Sequence, residues 1–320
     1  MADMLSSAQT PDSNKVEWHG YTQLRFATNF NSYNNFSVRR LKFWIKSGHG
    51  FPKHWSYKVQ AIFMSVQDEK FFLQDIYEQY NWKNSSIRFG QFIPQFSLQR
   101  FQSDYLIPSS ERARAVNLII PDGTHGVRDI GIQYNFKTTN GKLDFNIGVF
   151  NGYGIKEYRF DNTGFLSIQH LSYQFNIKKS TLKFGYSLSY RMAEDMYFKG
   201  IIPDTILYSG SDIRYNFYGI FTSNIIDFQT EYLNAVLETG RSAGYYALLT
   251  IKPSIDKHIF LLYDKYTSDD MLTNKNPWYV IGCNYLINKY RIMISLETGF
   301  QKIINKWSNR TVFQFQMFLH

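Results

Sequence analysis

A single cysteine, Cys283, in 320 residues permits no internal disulfide. Long apolar runs are missing too. Stretches such as Ile259-Phe260-Leu261-Leu262-Tyr263 break after a few positions, whereas a membrane-spanning helix needs about 20 consecutive apolar residues. Charged residues make up only 19% of the chain, and its basic side chains are spread along it without forming the patch that nucleic acid requires, so no nucleic-acid partner is expected. The seven histidines, His19, His49, His54, His125, His170, His258 and His320, are scattered without an H-E-x-x-H or a zinc-like spacing. No G-x-S-x-G, phosphate-loop or dinucleotide fingerprint occurs. No catalytic residue, metal or cofactor is therefore expected. Asp264, Asp269 and Asp270 have the chemistry to hold Ca²⁺ in a loop but read better as a solvated acidic turn, and whether Ser189 neighbours His170 is not legible in the sequence.

What is present is aromatic. The 28 Phe, 24 Tyr and 6 Trp amount to 18% of the chain, about twice the usual share, which excludes disorder. Hydrophobic residues reach 44%. The formal charge of +9 points to anionic partners.

From Val16 the apolar residues recur at every second position. Trp18, Gly20, Thr22, Leu24 and Phe26 form one face, and Glu17, His19, Tyr21, Gln23 and Arg25 the other. A strand with one face in an apolar medium and one in water alternates in this way, and this one is far longer than the usual 5 or 6 residues. The unit recurs: Leu41, Phe43 and Ile45 oppose Arg40, Lys42, Trp44 and Lys46, and Ile130, Ile132, Tyr134 and Phe136 oppose Asp129, Gly131, Gln133 and Asn135. Leu182 to Tyr190 and Ile292 to Phe300 behave alike, as does the last segment, with Phe313, Phe315 and Met317 against Gln314 and Gln316.

Turn signals separate these runs at Asn34-Asn35, 48–53, 83–85, 138–142, 178–180, 256–257 and 288–289, alternating with longer linkers at 95–126, 152–164, 194–211 and 267–277. Short turns at one end and long loops at the other predict a transmembrane antiparallel β-barrel of about 16 strands. Closure follows because an open sheet edge in lipid would leave backbone donors and acceptors unpaired. The barrel is expected over 15–320, behind a flexible N-terminal extension of residues 1–14, which read MADMLSSAQTPDSN and carry no signal-like apolar region. Trp18, Trp55, Trp82, Tyr173, Phe175 and Trp278, near strand ends, are expected in the lipid headgroup layer.

Several passages, in order, resemble the bacterial phosphate-selective porin O and P family. They are Phe36-Ser37-Val38-Arg39-Arg40-Leu41-Lys42, the segment Leu73 to Tyr80, Ile87-Arg88-Phe89-Gly90-Gln91-Phe92-Ile93-Pro94 with Phe96-Ser97-Leu98, Glu111-Arg112-Ala113-Arg114, Gly126 to Gly131, Gly148-Val149-Phe150-Asn151-Gly152 and Leu262-Tyr263-Asp264. The resemblance implies a 16-stranded outer-membrane porin of a Gram-negative bacterium, commonly a trimer, with an inward-folded third loop. Phosphate is the solute that the family's name suggests. Ile93 stands where the family often carries Lys.

Porin function is selective passage, so the residues that matter face the lumen or lie on the constricting loop. Strand parity places Arg25, Arg40, Lys42, Lys46, Lys58, Lys183, Arg191, Arg214 and Arg291 on the polar face, with Glu17, Asp129, Asp144 and Glu297 among them. The longest connection, 95–126, carries Arg100, Arg112 and Arg114, and loops of that length are usually functional. It is expected to fold inward so that Arg112 and Arg114, opposite Arg40 and Lys42, favour small anionic solutes. Lys46, Arg25 and Arg100 complete the candidate lining. Outer-membrane lipid and further copies of the chain, as a homotrimer or within a larger membrane-protein complex, are the expected partners. A structural barrel with an occluded lumen is the rival reading.

Overall fold

The computed structural model describes residues 16–47, 52–66, 68–122, 126–157, 159, 164–269, 276–288, 291–303 and 306–319. The expected extension at 1–14 lies outside them. The first eight strands are β1 (Glu17–Thr28), β2 (Asn34–Lys46), β3 (Trp55–Val66), β4 (Asp68–Trp82), β5 (Ser85–Phe92), β6 (Asp129–Lys137), β7 (Leu143–Phe150) and β8 (Leu166–Ile177). The second eight are β9 (Ser180–Met196), β10 (Tyr208–Thr222), β11 (Ile226–Leu237), β12 (Arg241–Ser254), β13 (Lys257–Ser268), β14 (Trp278–Ile287), β15 (Ile292–Ile303) and β16 (Lys306–Phe318). Every strand runs antiparallel to its sequence neighbours, and β1 closes on β16 with Leu24 opposite Phe315 and Phe26 opposite Phe313. No edge strand remains, as lipid requires.

The period-two faces fall as their chemistry dictates. On β1, Tyr21, Gln23 and Arg25 are buried inside, and Trp18 is 69% exposed on the outer wall. Gln23 donates to Gln316 across the closing seam at 2.7 Å, so the inner face pairs amides where the outer face presents rings to lipid. Trp55, Tyr80 and Trp82 pack as a chain of rings near the short-turn end, with centroids 5.2 and 5.8 Å apart, the placement expected of a headgroup girdle. Trp278 departs from this expectation. It lies opposite Asp264 and Gln301, both lumenal, and its ring packs over Gly299 inside the barrel. The loop end is also less uniform than the turn signals imply, because residues 238–240 alone connect β11 to β12 there.

Among the register irregularities of the barrel, two β-bulges break the alternation in the β1–β4 wall. Gln23 pairs with Arg40 but Leu24 pairs with Val38, leaving Arg39 as an extra residue on β2. Gln60 pairs with Asp75 but Ala61 with Leu73, leaving Gln74 extra on β4. A bulge puts two consecutive residues opposite one. Here it turns two neighbouring polar side chains inward at each site, Arg39 with Arg40 and Gln74 with Asp75.

The β5–β6 connection folds into the barrel, as expected. It contains α1 (Leu98–Phe101), a 3-10 turn over Asp104–Leu106 and α2 (Arg114–Ile119). In α2, Ala115, Val116 and Ile119 fall on one helical face and are fully buried against β11, β12 and β13. Leu233, Ala235, Leu248, Phe260 and Leu262 supply the opposing surface, joined by Phe198, Ile201 and Ile202 of the β9–β10 connection. Full burial of Val116 and Ile119 stabilises this docking by about 1.5–3 kcal/mol each. At Gly244 a Cβ would collide with Ala115, so glycine lets α2 approach the wall closely. The lumen is thus divided: an apolar packed half under β11–β13, and a polar half along β1–β4, β15 and β16.

Candidate functional site

Two carboxylates of the inward loop organise the polar half. Asp104, on the 3-10 turn, accepts from Lys42 of β2 at 2.5 Å, from Arg112 further along the same loop, and from the Tyr21 hydroxyl at 3.1 Å. The Arg40 guanidinium stands 3.6 Å from the same carboxylate. Glu111 accepts from Arg25 at 2.6 Å and takes both bonds of a forked contact from Arg39 at 2.8 and 2.9 Å, with Arg310 of β16 at 4.0 Å. Six cations therefore converge on two carboxylates. Burial alone would push the Asp104 carboxyl up, but Arg112, Lys42 and Arg40 outweigh it and hold the group well below the ordinary carboxylate range. Arg39 and Arg25 do the same for Glu111 against its own burial.

Further hydrogen bonds tie the loop to the wall. The backbone N–H of Ser110 donates to Glu297 at 2.7 Å, that of Leu98 to Glu231 at 2.9 Å, and that of Arg114 to Asp264 at 2.7 Å. Arg112 is fixed within the loop by Gln99 and Gln102 carbonyls, each at 2.8 Å. On the far side, Arg191 is held between Asp122 at 2.5 Å and Asp212 at 2.8 Å, and Arg214 bonds Asp212 and the Ile119 and Ile120 carbonyls.

Two water-accessible cavities flank Arg112, which lines both and is the one described residue to do so. The cavity toward the long-loop end, about 310 Å³, is lined by Arg114, Asp264, Trp278, Gln301 and Arg310. The one toward the short-turn end, about 330 Å³, is lined by Lys42, Trp44, Lys58, Arg88, Arg100 and Arg128.

The expected lining residues separate on this map. Arg40, Lys42 and Arg112 meet at Asp104. Arg25 joins them through Glu111. Arg114 shares the cavity at the long-loop end with Arg112 but stands apart from the Asp104 cluster, bonding Asp264 on β13 at 3.3 Å. Lys46 lies near the short-turn end, paired with Glu17 at 2.7 Å. Arg100 bonds Asn117 at 3.2 Å. Arg191 and Arg214, assigned to the polar face by parity, are buried beneath the loop and line neither cavity. His170 bonds Ser187, not Ser189. Asp264 and Asp269 serve different partners, Arg114 and the Arg241 backbone, instead of one acidic turn; Asp270 lies outside the described residues.

Parity reasoning missed Arg39, because a bulge carries no sequence mark. It also missed Asp104 and Glu111 as partners, although a signal was present. The 95–126 connection holds Asp104, Glu111 and Asp122 beside Arg100, Arg112 and Arg114, and each of those acids meets a cation of the wall.

The sequence profile of the phosphate-selective porin O and P family matches residues 16–250. No curated protein matches the chain. Among solved structures, OmpF of Salmonella typhi in complex with daunomycin superposes with a TM-score of 0.67 at 9% identity, over 97% of this chain and 99% of that one. The outer-membrane channel DcaP of Acinetobacter baumannii gives 0.66 at 11%, over 98% and 100%. A loop-deletion mutant of the outer-membrane protein OmpT of Vibrio cholerae also gives 0.66 at 11%, over 96% and 100%. At such identities the likeness is one of fold, and it agrees with the closed barrel and the profile match. The chain belongs to the phosphate-selective porin O and P family and is a 16-stranded diffusion channel of the bacterial outer membrane.

Proposed function

We propose that this porin passes small anions in preference to cations, along the polar half of the lumen and past Arg112, with no enzymatic step. The observation that carries this reading is the charge count at the narrowing: Arg25, Arg39, Arg40, Lys42, Arg112 and Arg310 surround Asp104 and Glu111. The surplus favours anions entering a narrow passage between low-dielectric walls, which focus the field of the wall charges. Guanidinium groups bind carboxylate and phosphate oxygens through forked hydrogen bonds. Phosphate as the solute draws support from the family's name alone. In planar bilayers under a KCl gradient, Arg40→Ala/Arg112→Ala should move the reversal potential toward zero, and an unchanged potential would mean that these two residues do not set the preference.

The channel is further proposed to work as a homotrimer. Glu78 is exposed on the outer wall, between Ile76 and Tyr80 and across from Tyr57 and Phe89. A carboxylate on a lipid-facing wall is costly, and a second copy covering β3–β5 removes that cost. One relative, OmpT of Vibrio cholerae, has a structure described as its trimer form.

The rival reading, a structural barrel, draws on the apolar half of the lumen, where α2 and the β9–β10 connection fill the space under β11–β13. It predicts no conductance in bilayers and stoichiometric partners on purification.

A further inference from the structure

The cavity at the short-turn end is unlike a plain electrostatic well. Among its linings are Trp44, Tyr77, Phe92, Phe101 and Tyr105, whereas the described lining of the cavity at the long-loop end carries Trp278 as its ring. Phe101 of α1 remains 37% exposed there although it faces away from lipid.

The basic residues around this cavity divide into two groups. Lys42 and Arg112 are spent on Asp104, and Lys58 and Arg128 share Asp75 at 2.8 and 3.0 Å. Arg88 and Arg100 have no carboxylate partner among the described residues. The Arg88 Nε donates to Gln79 at 2.9 Å, and its guanidinium lies over Tyr77 at 4.3 Å and Phe92 at 5.3 Å. A guanidinium stacked on rings keeps its N–H groups in its own plane, free at the edge for an anion. The Arg100 Nε is buried without a partner. Burial, together with neighbouring Arg112, makes the Arg100 charge costly, and an anion would relieve that cost.

We infer that this cavity is a binding subsite for anions that carry a flat apolar ring, of the aromatic carboxylate class. The carboxylate meets Arg88 and Arg100, and the ring meets the face formed by Trp44, Phe101 and Tyr105. At about 330 Å³ the space holds a single-ring molecule with some water. This inference rests on the anion-channel reading above and narrows it from charge to shape.

The test is block of single-channel current by benzoate and, separately, by acetate. Benzoate should halve the current at about tenfold lower concentration than acetate, the margin expected from ring contacts. Arg88→Gln should raise the benzoate concentration needed by about tenfold or more, and Phe101→Ser should erase the margin between the two acids. Equal block by benzoate and acetate in a wild-type channel that prefers anions overturns the subsite and leaves the channel reading standing. A wild-type channel that prefers cations overturns both. The wild-type comparison is complete without the variants, so a variant that fails to assemble does not decide the matter.

Discussion

At the scale of single residues, the polar half of the lumen depends on Asp104 and Glu111 being charged. Removing one acid leaves its cations facing each other. Glu111→Gln should lower barrel stability by about 1–3 kcal/mol, between the values for exposed and buried pairs, and should strengthen anion preference; a lower denaturation midpoint with an unchanged reversal potential would separate the two effects. Both carboxyls are held below their ordinary range by the cations around them. For a depressed carboxylate, the stabilisation is complete above the unfolded-chain value of about 4 and is lost as pH falls through the folded value. The contribution of Asp104 and Glu111 to loop docking should therefore be constant from pH 7 to about pH 5 and be lost only in more acidic solution. The stability difference between wild type and Glu111→Gln along a pH series tests this, and a difference that vanishes near neutral pH would contradict it. Arg25, Arg40 and Lys42 were legible as lumenal because parity alone fixes the side of a strand residue. Arg39 was not, because the bulge that turns it inward is a property of the pairing with β1 and not of the β2 sequence.

At the scale of elements, the inward loop is attached by two kinds of force at its two ends of action. Ion pairs hold its Asp104–Glu111 section to β1 and β2, and apolar burial holds α2 to β11–β13. Gly244→Val places side-chain atoms where Ala115 now sits. It should displace α2, raise single-channel conductance and expose the loop to added protease, while the barrel itself still folds. Unchanged conductance would mean that α2 does not narrow the channel. This division was partly legible. The run Ile259-Phe260-Leu261-Leu262-Tyr263 is apolar on both faces of β13, because Leu261 and Tyr263 face outward and Phe260 and Leu262 face α2. Trp278 misled because a ring at a strand end has two apolar places to go, and position alone does not choose between headgroups and a glycine-lined lumen.

At the scale of the whole molecule, strand count and closure followed from period and spacing, whereas the inward loop was implied by the family resemblance and by the length of the 95–126 connection. Lipid forbids open edges and so leaves few alternatives. The divided lumen did not follow, since it depends on which wall strands the loop meets. Oligomer formation belongs to this scale as well. Native mass should report three chains, and Glu78→Arg should shift the population toward smaller species; an unchanged trimer would place the contact on another face. The formal charge of +9 becomes functional only where cations outnumber acids at the narrowing. The most direct measurement is the zero-current potential of the wild-type channel across a tenfold KCl gradient in a neutral planar bilayer. An anion-preferring lumen gives a potential of the sign set by chloride, and a potential of the sign set by potassium would contradict that preference.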